Sequence, residues 1–473
     1  MASRGEFVKK GLLSSFIAGI RAKDQGESYA NILRYSWPEI ITQILLYSLP
    51  IWLDSYFISF LRSTQTYATL GASGTLVHTI TKVAEAMSVG TVVMVGQFNG
   101  KAAYKEVGKV MRDSFWITFI VGAFLSAFLY VAAPAIYVWY GVPEEMVVLG
   151  VPYLRLRAVG ILLMFVYLAF ISFLRGIKNT KTPMKLFIFG SVVFVVFDYF
   201  FILGGAGIPA MGLLGSAAAS VVQYLVMLVT VLIYILGNEK NKKYAIDLFS
   251  PITQITYIKE LLWLSWPVLI DKLTVAISYV WLGKMLAPMG VFPLAAYAVV
   301  KDMQRFALTP GLAFSQVLTF LVSNEYGARN WDGIKSTIKK TLLLGLGMVL
   351  VVLFLFSLWP EYVICLFDKK GEFTDFAARA FPILSILAFL DLLQLILSGA
   401  LRGAANVKTV MLTRLIVCVG FFAPISYIFS NMAIEDDVIK FLLVYGSFYV
   451  ANGLMCIVYV YRFRSEGWKL PSQ

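Results

Sequence analysis

The chain has little of the chemistry that enzymes draw on. Its 473 residues include one histidine, His78, and three cysteines, Cys365, Cys418 and Cys456, which lie far apart in apolar runs. The sequence shows no metal cluster at recognisable spacing, no phosphate-binding glycine loop and no nucleophile elbow. We therefore expect no enzyme activity and no cofactor. Charge is also scarce: 14% of residues are charged, against about 25% in water-soluble domains, while 59% are hydrophobic and the mean hydropathy is +0.78. This excludes a water-soluble globule and places the chain in a bilayer. In that setting His78, within Leu76-Val77-His78-Thr79-Ile80, reads as a packed or hydrogen-bonded intramembrane histidine. The cysteines read as core filler.

What the chain has in abundance is long apolar runs. They recur at approximately 31–61, 69–97, 113–140, 147–173, 183–204, 211–236, 257–287, 293–324, 341–366, 376–402, 408–430 and 438–461, each long enough at about 20 residues or more to cross a bilayer. The fold class is therefore all-α and membrane-integral, with about twelve spans.

One pattern occurs twice. Leu174-Arg175-Gly176, followed by Asn179, Lys181-Thr182 and Met184, returns as Leu401-Arg402-Gly403, followed by Asn406, Lys408-Thr409 and Met411, so Arg175 and Arg402 are 227 positions apart. Ser36-Trp37-Pro38 with Trp52 recurs as Ser265-Trp266-Pro267 with Trp281 in nearly the same register. Two parallel repeats of six spans each imply two lobes with a substrate site between them. The expected organisation is a cytoplasmic amphipathic segment over 1–28, an N-lobe over 29–236, a polar linker over 237–257, a C-lobe over 258–465 and a tail over 466–473.

The formal net charge of +13 does not signal a nucleic acid, because the Lys and Arg residues alternate by loop. They crowd the segments that precede the first span and follow every even-numbered one, and they are thinner on the opposite side, where Glu144-Glu145 and Glu435-Asp436-Asp437 lie. The positive-inside rule then puts both termini in the cytoplasm.

Carboxylates inside a membrane cost about 2.5–3.5 kcal/mol each on insertion scales, so each needs a reason. Asp54 lies in the first span, Asp198 in the fifth, Asp271 and Lys272 in the seventh, Lys301, Asp302 and Arg305 in the eighth, and Asp391 in the tenth. Asp54, Asp198 and Asp391 have no opposite charge within a turn of their own helix, and burial favours the protonated form of such a group, suiting it to trade a proton for a cation. Lys301 and Arg305 are one turn apart and give that helix a cationic face. Lys82 with Glu85 reads as an ion pair on one helix; Asp302 with Lys272, or Asp271 with Lys301, reads equally as a structural pair between helices. The repeat register sets Gly283 opposite Asp54 and Met164 opposite Asp391, so these acids are not duplicated. Trp52, Tyr279 and Trp281 are candidates to stack on a flat cation or to serve as interface aromatics.

The doubled Leu-Arg-Gly-x-x-Asn-x-Lys-Thr pattern, the Pro38 to Asp54 spacing and Gly212-Leu213-Leu214-Gly215-Ser216-Ala217-Ala218 opening the sixth span resemble the multidrug and toxic compound extrusion (MATE) family. The resemblance implies two six-helix lobes around a central cavity, and export of mostly cationic lipophilic compounds against H⁺ or Na⁺ by alternating access. It maps ion or proton coupling onto Asp54, Asp198 and Asp391, with Asp271 as a stand-in for the seventh-helix acid and a possible Na⁺ near Asp391 or Asp54. Glu39, Trp52, Tyr279, Trp281, Lys301, Asp302, Arg305 and Gln394 are the candidate substrate-cavity residues, and Pro38, Pro50 and Pro267 the candidate helix-bending ones. The chain departs from the family pattern at Phe194, where an Asn is common, and at Lys301 and Arg305, which admit an anionic or zwitterionic substrate. Expected partners are a small-molecule substrate and the lipid bilayer, with no nucleic acid and a monomeric state, in a bacterial-type inner (plasma) membrane. Two alternatives stay open: a flippase or exporter of an endogenous lipid-linked or anionic molecule, and a membrane-embedded transferase.

Overall fold

The computed structural model describes residues 26–47, 49–205, 207–250, 255–365, 368 and 371–469. The expected amphipathic segment falls almost wholly outside these residues. In chain order the N-lobe contains α1 (Tyr29–Tyr47), α2 (Leu49–Ser59), α3 (Thr64–Gly100), α4 (Tyr104–Tyr140), α5 (Glu144–Gly176), α6 (Lys181–Leu203) and α7 (Leu213–Gly237). The C-lobe contains α8 (Ile255–Leu286), α9 (Val291–Gly327), α10 (Trp331–Leu358), the short α11 (Pro360–Ile364), α12 (Thr374–Gly403), α13 (Val407–Val417), α14 (Ala423–Asn431) and α15 (Asp437–Arg464). Eleven helical stretches among the described residues are long and apolar enough to cross a membrane, with α13 and α14 joined into one by a π-turn at Cys418–Phe422. The twelfth expected span falls on α1 and α2, between which residue 48 is not described.

Two of the expected helix-bending prolines, Pro38 and Pro267, lie inside helices. The helix runs on through Pro38, where Thr42 Oγ1 donates to the Pro38 carbonyl at 2.8 Å, and α8 likewise runs on through Pro267. Between α1 and α2 residue 48 lies outside the described residues, as does the side chain of Pro50.

The repeated motif is a stop, turn and start. In the N-lobe Gly176 ends α5 where a Cβ would run into Val95, Lys178 takes a left-handed φ of 62°, and Asn179 Oδ1 accepts from Thr182 N at 3.2 Å to begin α6. In the C-lobe Gly403 abuts the Thr319 carbonyl, Ala405 takes φ 58°, and Asn406 precedes α13. The backbone bonds match one for one: Asn179 N to Leu174 O and Asn406 N to Leu401 O, both 2.8 Å.

The lobes meet along α3 and α9. A Cβ on Gly100 would lie 1.9 Å from the Asn324 carbonyl oxygen, and one on Gly327 would lie 2.0 Å from that of Gln97. These positions are equivalent in the two repeats, so the contact is pseudo-symmetric. An apolar seal of Ile32, Val92, Phe314, Val317, Phe320 and Leu321 adjoins it. Both repeat motifs turn at this same end. Here Glu27, just before α1, ties the lobes together: its carboxylate pairs with Lys178 at 2.6 Å, its N–H donates to Thr337 Oγ1 at 3.1 Å and its carbonyl accepts from Lys340 Nζ at 3.1 Å. The tail is packed as well, with the wholly buried Trp468 against Trp331, Tyr326 and Phe463.

Burial alone raises the Glu27 pKa, but Lys178 outweighs it and, with Asn31, holds the carboxyl below its ordinary 4.5. A depressed carboxyl contributes stability above its unfolded pKa and loses it as pH falls through the folded value. Glu27→Gln is therefore expected to lower stability by about 0.2–1 kcal/mol at pH 7, the range of partly exposed pairs. The gap between wild type and variant closes as pH falls below about 4.5, which thermal unfolding in detergent across pH 3–7 checks.

Candidate functional site

Three buried constellations emerge. The first lies inside the N-lobe. Asp54 on α2 accepts from Ser216 Oγ on α7 at 2.6 Å. Asp198 on α6 lies near Asp54, and among the described residues neither of its oxygens has a hydrogen-bond partner. Arg157 and Tyr153 from α5 and Tyr224 from α7 stand close by, and the Arg157 Nη1 is buried without a partner. Two carboxylates from different helices thus share one dry pocket with one guanidinium. The fold brings together Asp54 and Asp198, 144 positions apart, and adds Arg157, which is not among the expected site residues. Its signal was position, ten residues inside an apolar run.

The second lies inside the C-lobe. Asp391 on α12 accepts from Asn452 Nδ2 on α15 at 3.0 Å. Tyr279, Tyr449 and Cys456 surround it. Gln304 Oε1 accepts from Tyr445 at 2.8 Å and from Tyr449, while its Nε2 is buried without a partner. Among the described residues no group of three His, Cys, Asp or Glu is placed to hold a metal ion.

The third is a cavity of about 560 Å³ between the lobes. Gln43, Lys82, Glu85 and Val89 line it from the N-lobe. The C-lobe contributes Asp271, Lys272, Asp302, Arg305, Gln316, Arg402 and Arg414, with apolar patches from Val275, Phe306, Leu312 and Phe356. Glu85 is clamped between Lys82 at 2.8 Å and Lys272 at 2.6 Å, and the second of these bonds crosses from lobe to lobe. Asp271 holds two guanidiniums, Arg402 Nη2 at 2.5 Å and Arg414 Nε at 2.5 Å.

Several expectations change here. Asp271 pairs with Arg402 and Arg414 rather than Lys301, and Lys272 pairs with Glu85 rather than Asp302, because the repeat motif turns bring those arginines and α3 into reach. Asp271, expected as the stand-in for a coupling acid, is held by both guanidiniums at once. Asp302 and Arg305 do line the cavity, but Lys301 lies over the Tyr297 ring at 5.3 Å, on another side of α9. Tyr279 sits beside Asp391, and Trp281 Nε1 donates to Ser426 Oγ at 3.0 Å inside the C-lobe. Gln394 is buried on α12 and does not line the cavity. Glu39 is fully buried against Arg175, the N-lobe copy of the Arg402 motif. The side chains of Trp52 and Pro50 lie outside the described residues.

Two parallel six-span lobes, joined at one end around a charged cavity, define a multi-pass membrane transporter. The MatE family model matches residues 38–200 and 267–428, one stretch in each lobe. The chain belongs to the MatE family, whose members are transporters and not enzymes. The probable multidrug resistance protein YoeA of Bacillus subtilis is 22% identical over 351 residues, covering 72% of this chain and 74% of that one. The probable multidrug resistance protein NorM of Thermotoga maritima is 22% identical over 359 residues, covering 76% and 77%. A mutant of the Vibrio cholerae MATE transporter VcmN shares the fold, with a TM-score of 0.84 and 17% identity over 93% of this chain and 98% of that one.

The two acid environments predict different responses to neutralisation. Asp271→Asn strands the buried Arg414 guanidinium and the half-buried one of Arg402, and loss of one partner from a buried pair costs about 3–5 kcal/mol. Asp391→Asn removes only an acceptor for a neutral amide, for which about 0.5–1.5 kcal/mol is expected. Thermal unfolding of both variants in detergent is expected to show Asp271→Asn far below Asp391→Asn; equal losses would contradict the structural role of the Asp271 clamp.

Proposed function

We propose that the protein is an efflux transporter that moves small organic molecules across a bacterial-type inner membrane, as a monomer, by rocking its lobes about the α3–α9 contact in exchange for protons. The observation that carries the proton assignment is the Asp54–Asp198 pair. Two carboxylates facing each other in a dry pocket cannot comfortably both be charged, so the pair suits uptake and release of one proton. Asp54 stands on α2 and is bonded to Ser216 on α7. A change in its charge therefore acts on the packing of α2 against α6 and α7. The multidrug resistance names of the relatives support efflux of organic compounds. The termini are read as cytoplasmic from the distribution of basic residues, so the joined end faces the cytoplasm and the cavity belongs to the outward-facing state.

The driving force is adequate: about 2.3 kcal/mol per charge through 100 mV, with about 1.4 kcal/mol more per pH unit. Sodium coupling through Asp391 is the competing assignment, and its pocket of neutral tyrosine and asparagine groups supports it less well. Movement of an endogenous anionic or lipid-linked molecule is a second reading of the substrate, favoured by the cationic cavity lining.

Reconstituted liposomes with an imposed pH gradient test the coupling, with ethidium and carboxyfluorescein as parallel probes so that the sign of the substrate does not decide the outcome. Asp54→Asn and Asp198→Asn are each expected to cut gradient-driven dye movement at least tenfold, while Asp391→Asn retains it. Dye movement driven by sodium and lost only in Asp391→Asn would overturn the assignment.

A further inference from the structure

The cavity between the lobes carries the wrong charge for a cation. Its lining holds five cationic side chains, Lys82, Lys272, Arg305, Arg402 and Arg414, against three carboxylates, Glu85, Asp271 and Asp302. Two of those carboxylates are already engaged. Glu85 is shared by two lysines and Asp271 by two arginines, so the lining carries two more cations than carboxylates. Asp302 and Arg305 roughly offset each other. A cationic ligand would enter a field of its own sign, which in a cavity walled by protein is screened far less than in water.

The groups are also placed as an anion site. Among the described residues Arg305 makes no ion pair, and its guanidinium is exposed to the cavity. The Arg402 Nε is buried without a partner, while its Nη2 is bound to Asp271, so one donor of a fork-shaped group stands unused at the wall. Glu85 shows what these cations select: its carboxylate sits between Lys82 and Lys272 at 2.8 and 2.6 Å, only 12% exposed. Phe306, Leu312 and Phe356 supply apolar surface beside the charges. An oxyacid group on an apolar body matches this combination.

Building on the transporter reading above, we infer that the cavity binds an organic anion, a carboxylate, sulfonate or phosphate on an apolar body. Glu85 acts as a resident anion that the ligand replaces at Lys82 and Lys272. Because the Glu85 to Lys272 bond spans the two lobes, ligand entry also removes one of the ties between them. The same oxyacid chemistry is offered by a soluble organic anion and by a phospholipid headgroup.

Binding to the purified full chain in detergent, measured by fluorescence anisotropy of carboxyfluorescein and of pyrenesulfonate, tests this without requiring transport. Wild type is expected to bind at least one of these dyes, and ethidium at least tenfold more weakly. Arg305→Gln, which breaks no ion pair, is expected to weaken dye binding several-fold, and Lys272→Gln with Arg305→Gln at least tenfold, in preparations that elute as a single species. Glu85→Gln is expected to tighten binding about threefold or more, a gain that a merely structural Glu85 would not give. Displacement of the dye by phosphatidylglycerol assigns the site to a lipid headgroup, and resistance to it assigns the site to a soluble anion. Ethidium binding in preference to both dyes, no binding of either dye, or dye binding unchanged in the double variant would overturn the inference. A dye that binds but is not moved by a pH gradient would instead count against proton-coupled transport and leave the anion site standing.

Discussion

Everything in this molecule hangs on how closely α3 and α9 approach each other at one end. Only glycine lets a backbone come so near another, and Gly100 and Gly327 are spent on the same contact from opposite sides, each against a carbonyl of the partner helix. Gly96 repeats it one turn earlier, where a Cβ would meet Ser323 Oγ at 1.9 Å. Bringing two long helices together at one end necessarily splays them at the other, and the wedge left between them is the cavity. A symmetric contact also gives the lobes a natural axis to rock about, since neither lobe carries the pivot alone.

Duplication supplied the scaffold, and divergence of charge supplied the chemistry. Arg175 and Arg402 occupy equivalent turns and both reach an acid on the first helix of their own lobe. In the N-lobe the acid is Glu39 and the pair is sealed from the cavity. In the C-lobe it is Asp271, displaced by about one turn of helix from the Glu39 equivalent, which joins Arg414 and opens the cluster onto the cavity. Moving the acid along the helix by that one turn converts a buried structural bridge into a cavity wall. The opposite happened with Asp54 and Asp198, which have no C-lobe counterparts and turn the N-lobe interior into a titratable pocket.

The span count, the two repeats and the membrane setting were legible because each rests on a signal that runs along the chain: apolar length, a doubled motif, alternation of basic loops. Which charges meet was not, since a helix interior places residues 150 or more positions apart in contact, as with Asp54 and Ser216 or Lys272 and Glu85. Arg157 and Arg414 were absent from the expected site residues for a specific reason. Basic residues near span ends carry the topology signal, and the same residue type several turns inward carries a site; a loop-by-loop count merges the two. Asp302 and Arg305 stood out because charge inside an apolar run has no bland explanation, while Lys301 beside them lies over the Tyr297 ring.

The separation of these sites constrains how coupling can work. A cation exporter can link its two ligands by simple competition, a proton displacing a cation from the same carboxylate. Here the carboxylate pair lies inside the N-lobe among α2, α5, α6 and α7, while the cavity is lined mainly by the C-lobe and is positive. Proton and substrate therefore do not contend for one charge. On the readings proposed above, what links them is the position of the lobes: the proton acts through α2 on packing within the N-lobe, and the ligand acts on the Glu85 to Lys272 bridge between lobes. Each biases one shared two-state element, the α3–α9 joint, and exchange follows if the joint opens to either side only when one of the two ligands is bound.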